Sequence, residues 1–177
     1  MMRKTVVTTL AATVVVAGLC GCAPDPFADP TPAPTPSGVV SGFASDEEAF
    51  AAAEATYRAY VDAVNERRKD PRSEPDPLSF MTKSGSAEER SAESELRSRG
   101  WKIVGDSSIA SVTPIFADES SATLNVCLDA SGTTVVDGKG NDVTPRERDD
   151  RVSVSVHFEV FAGRAHIAGT QTMEVGC

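Results

Sequence analysis

The chain has little of what catalytic and nucleic-acid sites are usually built from. It holds two histidines, one tryptophan and two tyrosines in 177 residues. GxSxG, HExxH, SxxK and P-loop patterns are all missing, so those signatures are excluded. The four cysteines include no CxxC element, which argues against structural zinc. Basic residues are outnumbered 17 to 26, for a net charge of −9. With no basic stripe to neutralise phosphates, nucleic acid is excluded as a partner. A folded body of this charge also does not lie flat on anionic lipid, and the acidity reads as solubility. No internal repeat is visible, and no cofactor or metal is expected.

What is present begins at the amino terminus. Arg3 and Lys4 precede an apolar run from Thr5 to Leu19. That run fits a signal-peptide core and is short for a membrane span, which needs about 20 residues. It ends in Leu19, Cys20, Gly21 and Cys22, which resembles a lipobox. Leu19 takes the bulky position, Gly21 the small one, and Cys22 is the lipid acceptor. Cys20 is the poorer acceptor, because Leu19 is too large for the position before it. Residues 1–21 are therefore expected to be a lipoprotein signal. Several acyl chains on Cys22 would anchor the protein stably on the extracytoplasmic face of the cell membrane, where a single chain is marginal. Loss of Arg3 and Lys4 with the signal leaves 15 basic against 26 acidic residues, near −11.

Residues 22–44 make a tether. Ala23 to Ser37 holds six of the chain's 11 prolines, a composition that favours extended polyproline and a semi-rigid spacer. Cys127 and Cys177 remain after Cys20 leaves and Cys22 is acylated. Outside the cytoplasm two such thiols pair. By a chain-entropy estimate the loop they close contributes up to roughly 4 kcal/mol.

Residues 45–177 are the folded domain. Ser45 and Glu48 form a capping-box pair, with Asp46 and Glu47 in a first turn that favours the helix dipole. Phe50, Ala53, Tyr57, Tyr60, Val61 and Val64 recur at helical spacing, predicting a helix from Ser45 to about Arg68. A Pro-rich loop follows, then a helical turn over Leu78 to Thr82. A second, charged helix spans Ser86 to Arg99 and closes at Gly100. Its apolar content is thin, so it is expected to pack peripherally. After Gly100 the period becomes two. Four strands are expected near 101–116, 120–129, 151–161 and 164–175. A turn at Asp118 and Glu119 sets Ile115 opposite Ala122 and Ile109 opposite Leu128. A turn at Ala162 and Gly163 sets Phe158 opposite Ile167 and Val152 opposite Met173. Gly132 to Asp150 reads as a polar, mobile connection. A simple meander places Cys127 and Cys177 two strand spacings apart, roughly 9.5 Å, whereas a disulfide needs about 5.5 Å. The disulfide is kept, and the last residues of the final strand are given up.

The element order resembles NTF2-like (SnoaL-like) domains carried by surface lipoproteins of high-GC Gram-positive bacteria. The matching pieces are Ala53, Tyr57 and Tyr60 in the first helix, Gly100 to Gly105 opening the sheet, and Val126 to Asp129 in the next strand. The resemblance implies an α+β fold, with helices over the concave side of a curved antiparallel sheet of about four strands. It further implies a cone with a pocket, in which Tyr57, Tyr60 and Trp101 are the candidate lining residues, and a possible homodimer. Such aromatics are more often core.

One polar constellation follows from the last hairpin. Its register sets Glu159 opposite His166, with His157 diagonal on the same face. That trio would serve acid–base chemistry or hold a metal. The preferred reading is a solvated sheet face. Asp137 to Asp142 resembles a calcium loop only loosely, because the closing Glu is missing. The expected function is a lipid-anchored accessory domain binding a protein or cell-envelope component. The alternatives are a small-molecule binder, and an isomerase- or hydrolase-like enzyme using Glu159 and His166.

Overall fold

A computed structural model describes residues 42–161, 163–174 and 176–177. The expected signal, the expected acyl acceptor Cys22 and the expected tether as far as residue 41 lie outside the described residues, while Phe43, placed in the tether by the sequence reading, is buried in the core and donates to Glu119 O. No described helix is long and apolar enough to cross a membrane.

Helix α1 spans Asp46–Lys69. The Ser45 side chain accepts from the Glu48 amide at 3.3 Å, and Glu48 reaches back to accept from the Ala44 amide at 2.8 Å. Three acidic residues open the helix and three basic residues close it, each favourable to the dipole. Ala49, Ala53, Tyr57 and Val61 recur every four residues and are buried. A 3-10 turn at Pro77–Phe80 follows, and then α2 at Lys83–Ser98, capped by Thr82. Gly85 lies so close to Ile167 that an added Cβ would meet its carbonyl oxygen at 2.6 Å. Helix α2 ends in a Schellman pair: Gly100 donates to Arg97 O, and Trp101 donates to Leu96 O at 2.9 Å. Gly100 sits at φ 68°, the left-handed region that this motif uses.

The strands are β1 Lys102–Gly105, β2 Ser108–Ala117, β3 Ser121–Asp129, β4 Thr133–Val136, β5 Arg151–Phe161 and β6 Arg164–Thr172. They form a four-stranded antiparallel sheet in the order β2-β3-β5-β6 and a two-stranded sheet of β1 and β4. The fold is α+β. Leu124, Val126, Val156, Phe158 and Ile167 are fully buried on the sheet face that meets the α1 stripe. The meander order and the pairings Ile109–Leu128 and Phe158–Ile167 agree with the sequence reading.

Several expectations need correction. The strand expected over 101–116 is broken at Gly105, whose φ of 83° turns the chain, and its first part leaves to pair with β4. The connection expected to be mobile therefore contains a strand. Its β-branched run, Thr133 to Val136, supplies the β-propensity, and Arg148 ties it down through Thr133 Oγ1, Thr133 O and Ala130 O. A bulge after Pro114 moves Ile115 out of the ladder, so Ala117 faces Ala122. A second shift beside Phe158 brings Met173, which donates to Ser153 O, out of line with Val152. The second helix starts at Lys83, three residues earlier than expected, because Thr82 caps it.

Cys127 and Cys177 are bonded, with Cα atoms 5.8 Å apart. Strand β6 ends at Thr172 instead of 175, and the chain beyond it leaves the sheet and returns to β3. By strand alternation Cys127 lies on the face turned away from α1.

Two outcomes follow for stability in urea unfolding. Phe158 is 0% exposed and Phe161 is 73% exposed; Phe158→Ala is expected to cost about 3–5 kcal/mol and Phe161→Ala less than about 0.5 kcal/mol. The paired change Cys127→Ser with Cys177→Ser is expected to lower stability by up to roughly 4 kcal/mol. An unchanged urea midpoint would show that the cross-link adds nothing.

Candidate functional site

Two helix faces and the start of β1 enclose an open cleft of about 580 Å³. From α1 and the loop after it come Val64, Arg67, Arg68 and Pro71, at i, i+3, i+4 and i+7. From α2 come Glu89, Ala92, Glu93 and Leu96 at the same spacing, and Arg97. Asp76, Pro77, Leu78, Trp101, Lys102 and Ile103 complete the wall. The volume falls in the range of small-molecule sites, roughly 300–1,000 Å³. The lining combines a flat apolar surface with charges of both signs.

The helix ending builds the apolar part. The Trp101–Leu96 backbone bond closes the Schellman motif, and both side chains line the cleft. The Arg99 guanidinium lies 5.2 Å from the Trp101 ring centre and holds that ring by a cation–π contact. Arg99 is itself paired with Glu95 at 2.7 Å. Beyond Trp101 a second depression of about 340 Å³ runs over Gly100, Gly138 and Gly140 to Asp137. The Asp137 carboxylate accepts from Lys139 N, Asn141 N and Asn141 Nδ2. The Asn141 bonds come first in holding its pKa below the ordinary aspartate value. That carboxylate stabilises its own turn, in place of the calcium loop it resembles.

The charged part is graded. Arg67 lies 3.7 Å from Asp76 and donates to Ser73 O at 2.9 Å. Arg97 lies 3.5 Å from Glu93. Arg68 Nη1 donates to Asn65 Oδ1, Gly105 O and Ser107 Oγ, all neutral acceptors. Burial raises the Glu89 pKa, and repulsion from Glu93 adds to it. The bond from the Tyr60 hydroxyl and the charge of Arg68 oppose that rise without cancelling it.

Of the three aromatics expected to line a pocket, only Trp101 does. Tyr57 is core, and Tyr60 packs against it with ring centres 5.8 Å apart. Burial raises both phenol pKa values, and the Glu89 charge adds to each. The expected trio lies elsewhere. Glu159 faces His166 across β5 and β6, as the register predicts, while His157 faces Gly169. His157 Nδ1 lies 3.3 Å from Thr123 Oγ1, and His166 packs edge-on against Phe161 at 6.4 Å. Among the described residues no group of three or more His, Cys, Asp or Glu side chains is placed to hold a metal. Sequence reasoning missed Arg68, Glu89, Leu96, Lys102 and Ile103. The signal for most of them was the repeated i, i+3, i+4, i+7 face on each helix.

No protein-family model and no curated protein matches this chain.

The Glu89 carboxyl gives a pH test. Its folded pKa stands above the ordinary 4.5, so the folded state takes up a proton before the unfolded chain does. Stability therefore falls as pH rises from 4.5 through the raised value, and stays lower above it. Glu89→Gln is expected to remove that slope and raise the melting temperature at pH 7.5. Thermal unfolding between pH 4.5 and 8 checks this; an unaltered slope refutes it.

Proposed function

We propose that this chain is a lipid-anchored extracytoplasmic domain that binds a cell-envelope component without transforming it, and that the cleft between α1 and α2 is its binding element. The observation that carries this reading is the cleft itself. It has the volume of a small-ligand site and a lining that sets apolar side chains such as Leu96, Trp101 and Ile103 among charged ones. Its polar groups suit holding more than reacting. Both histidines of the chain lie on β5 and β6, outside the cleft lining.

The NTF2-like reading is kept as part of this proposal. Helices preceding an antiparallel sheet, with α1 over one sheet face, support it. The space between α1 and the sheet is filled by Tyr57, Leu124, Phe158 and their neighbours. The cleft sits to the side of that core, against β1 and α2. Anchoring through Cys22 rests on the signal pattern alone.

A second reading has its own observation. Phe116 is 52% exposed, and Phe161, more exposed still, stands beside His166 on the sheet face turned from α1. That face suits an envelope protein or a second copy of the chain.

The test is native mass spectrometry of the protein taken from its own envelope. The expected result is a retained small molecule that Leu96→Arg eliminates while circular dichroism stays unchanged. A bare mass from the wild-type protein would move the search to the outer sheet face. In parallel, Cys22→Ser is expected to move the protein from the membrane fraction to the soluble one.

A further inference from the structure

Pairing of the cleft's charges leaves two cations against one carboxyl. Arg67 faces Asp76, and Arg97 faces Glu93. Among the described residues no carboxylate lies within ion-pair distance of Arg68 or Lys102, although both line the cleft. Asp106, the closest carboxylate in sequence to this end of β1, is bonded to Lys69 at 3.0 Å. The remaining cleft carboxyl is Glu89, which feels the charge of Arg68 from beyond ion-pair distance. The cleft of a chain of net charge −9 therefore holds four cations, Arg67, Arg68, Arg97 and Lys102, against three carboxyls, Asp76, Glu89 and Glu93.

Arg68 is also held in place. Its Nη1 is fixed by Asn65, Gly105 and Ser107, each at 3.2–3.3 Å, and none of these acceptors carries charge. The remaining guanidinium donors have no acceptor among the described residues. A guanidinium anchored on one nitrogen, with its other edge unused, is set for an incoming anion with little further loss of side-chain freedom. Lys102 follows Trp101 directly, so a second cation stands beside the flat apolar wall.

We infer that the cleft takes a small amphipathic anion, its carboxylate or phosphate group met by Arg68 and Lys102 and its apolar body laid against Trp101, Leu96 and Ile103. This inference rests on the cleft being a binding element. It adds the ligand's charge and shape.

The experiment compares three probes of one body and different heads: 1-naphthoate, 1-naphthalenemethanol and 1-naphthylmethylammonium. Each is titrated calorimetrically into the full chain in lipid nanodiscs at pH 7, against an empty-nanodisc blank. The anion is expected to bind about tenfold or more tightly than the other two, as one charge-assisted bidentate contact supplies. That preference is expected to shrink as salt is raised. Arg68→Gln and Lys102→Gln are each expected to weaken naphthoate several-fold and leave the alcohol unchanged. The Lys102 side chain is exposed and, among the described residues, makes no ion pair, so its variant reads the charge even if Arg68→Gln disturbs the end of α1. Equal or tighter binding of the alcohol or the ammonium overturns the anion assignment and leaves the cleft a binding site. Failure of all three probes at millimolar concentration overturns both.

Discussion

The contact of α1 with the four-stranded sheet is the constraint on which the remaining geometry depends. Ala49 and Ala53 are wholly buried, and their small side chains let the first half of the helix lie close over β3 and β6. One and two turns later the same stripe carries Tyr57 and Val61, larger residues that still end in the core. Past Val61 the helix continues for two turns beyond the last buried stripe residue, and its side chains there are used otherwise. Val64, Arg67 and Arg68 face α2 across open space. A core that closes early along the helix therefore leaves its basic end available as a wall.

The opposite wall depends on how α2 is fastened. The link before it runs along the edge of β6, where Thr82 donates to Ile167 O, and Gly85 permits the close crossing. One edge of the sheet is covered in this way, while the other, β2, is interrupted by Pro114 and two register shifts, which discourages pairing with another chain. The helix then runs out from the sheet with few buried residues and stops at Gly100. The reversal at Gly100 turns Trp101 toward the helix it follows. The cleft is thus a by-product of two helix endings, the basic close of α1 and the glycine close of α2. The glycine close is local, whereas the basic close of α1 is fastened across the fold by Asn65 and Arg68 to Gly105 and Ser107.

How much of this was legible in the sequence follows from the same distinction. The capping box at Ser45, the Gly100 stop and the meander of the four main strands are short-range signals, and each reads correctly, while the helical turn expected over Leu78 to Thr82 falls at Pro77–Phe80. The Phe158–Ile167 pairing is fixed by a tight turn a few residues away. What was not legible depended on distant partners. The β1–β4 sheet pairs segments about 30 residues apart, and nothing in Lys102 to Gly105 distinguishes a strand that stays with β2 from one that leaves. Bulges shift a register without changing composition, which is why Ile115 and Met173 were misplaced. The aromatic search for a pocket led to Tyr57 and Tyr60, because bulk marks a core as readily as a site. Polar residues at helical spacing on α1 and α2 carried the better signal. They read as solvated faces until the two helices are seen to face each other.

The bond between Cys127 and Cys177 has a consequence in time. Chains are made and moved from the amino terminus, so Cys127 emerges 50 residues before its partner. Throughout that interval it is a thiol without its partner, in a chain whose β5 and β6 have yet to emerge. On the proposed route across the membrane it passes other thiols during the same interval, including Cys22 of its own chain if acylation is late. Early acylation of Cys22 would remove the one competing partner in the mature chain. Lipid attachment would then act as a sorting step, leaving two cysteines with a single way to combine.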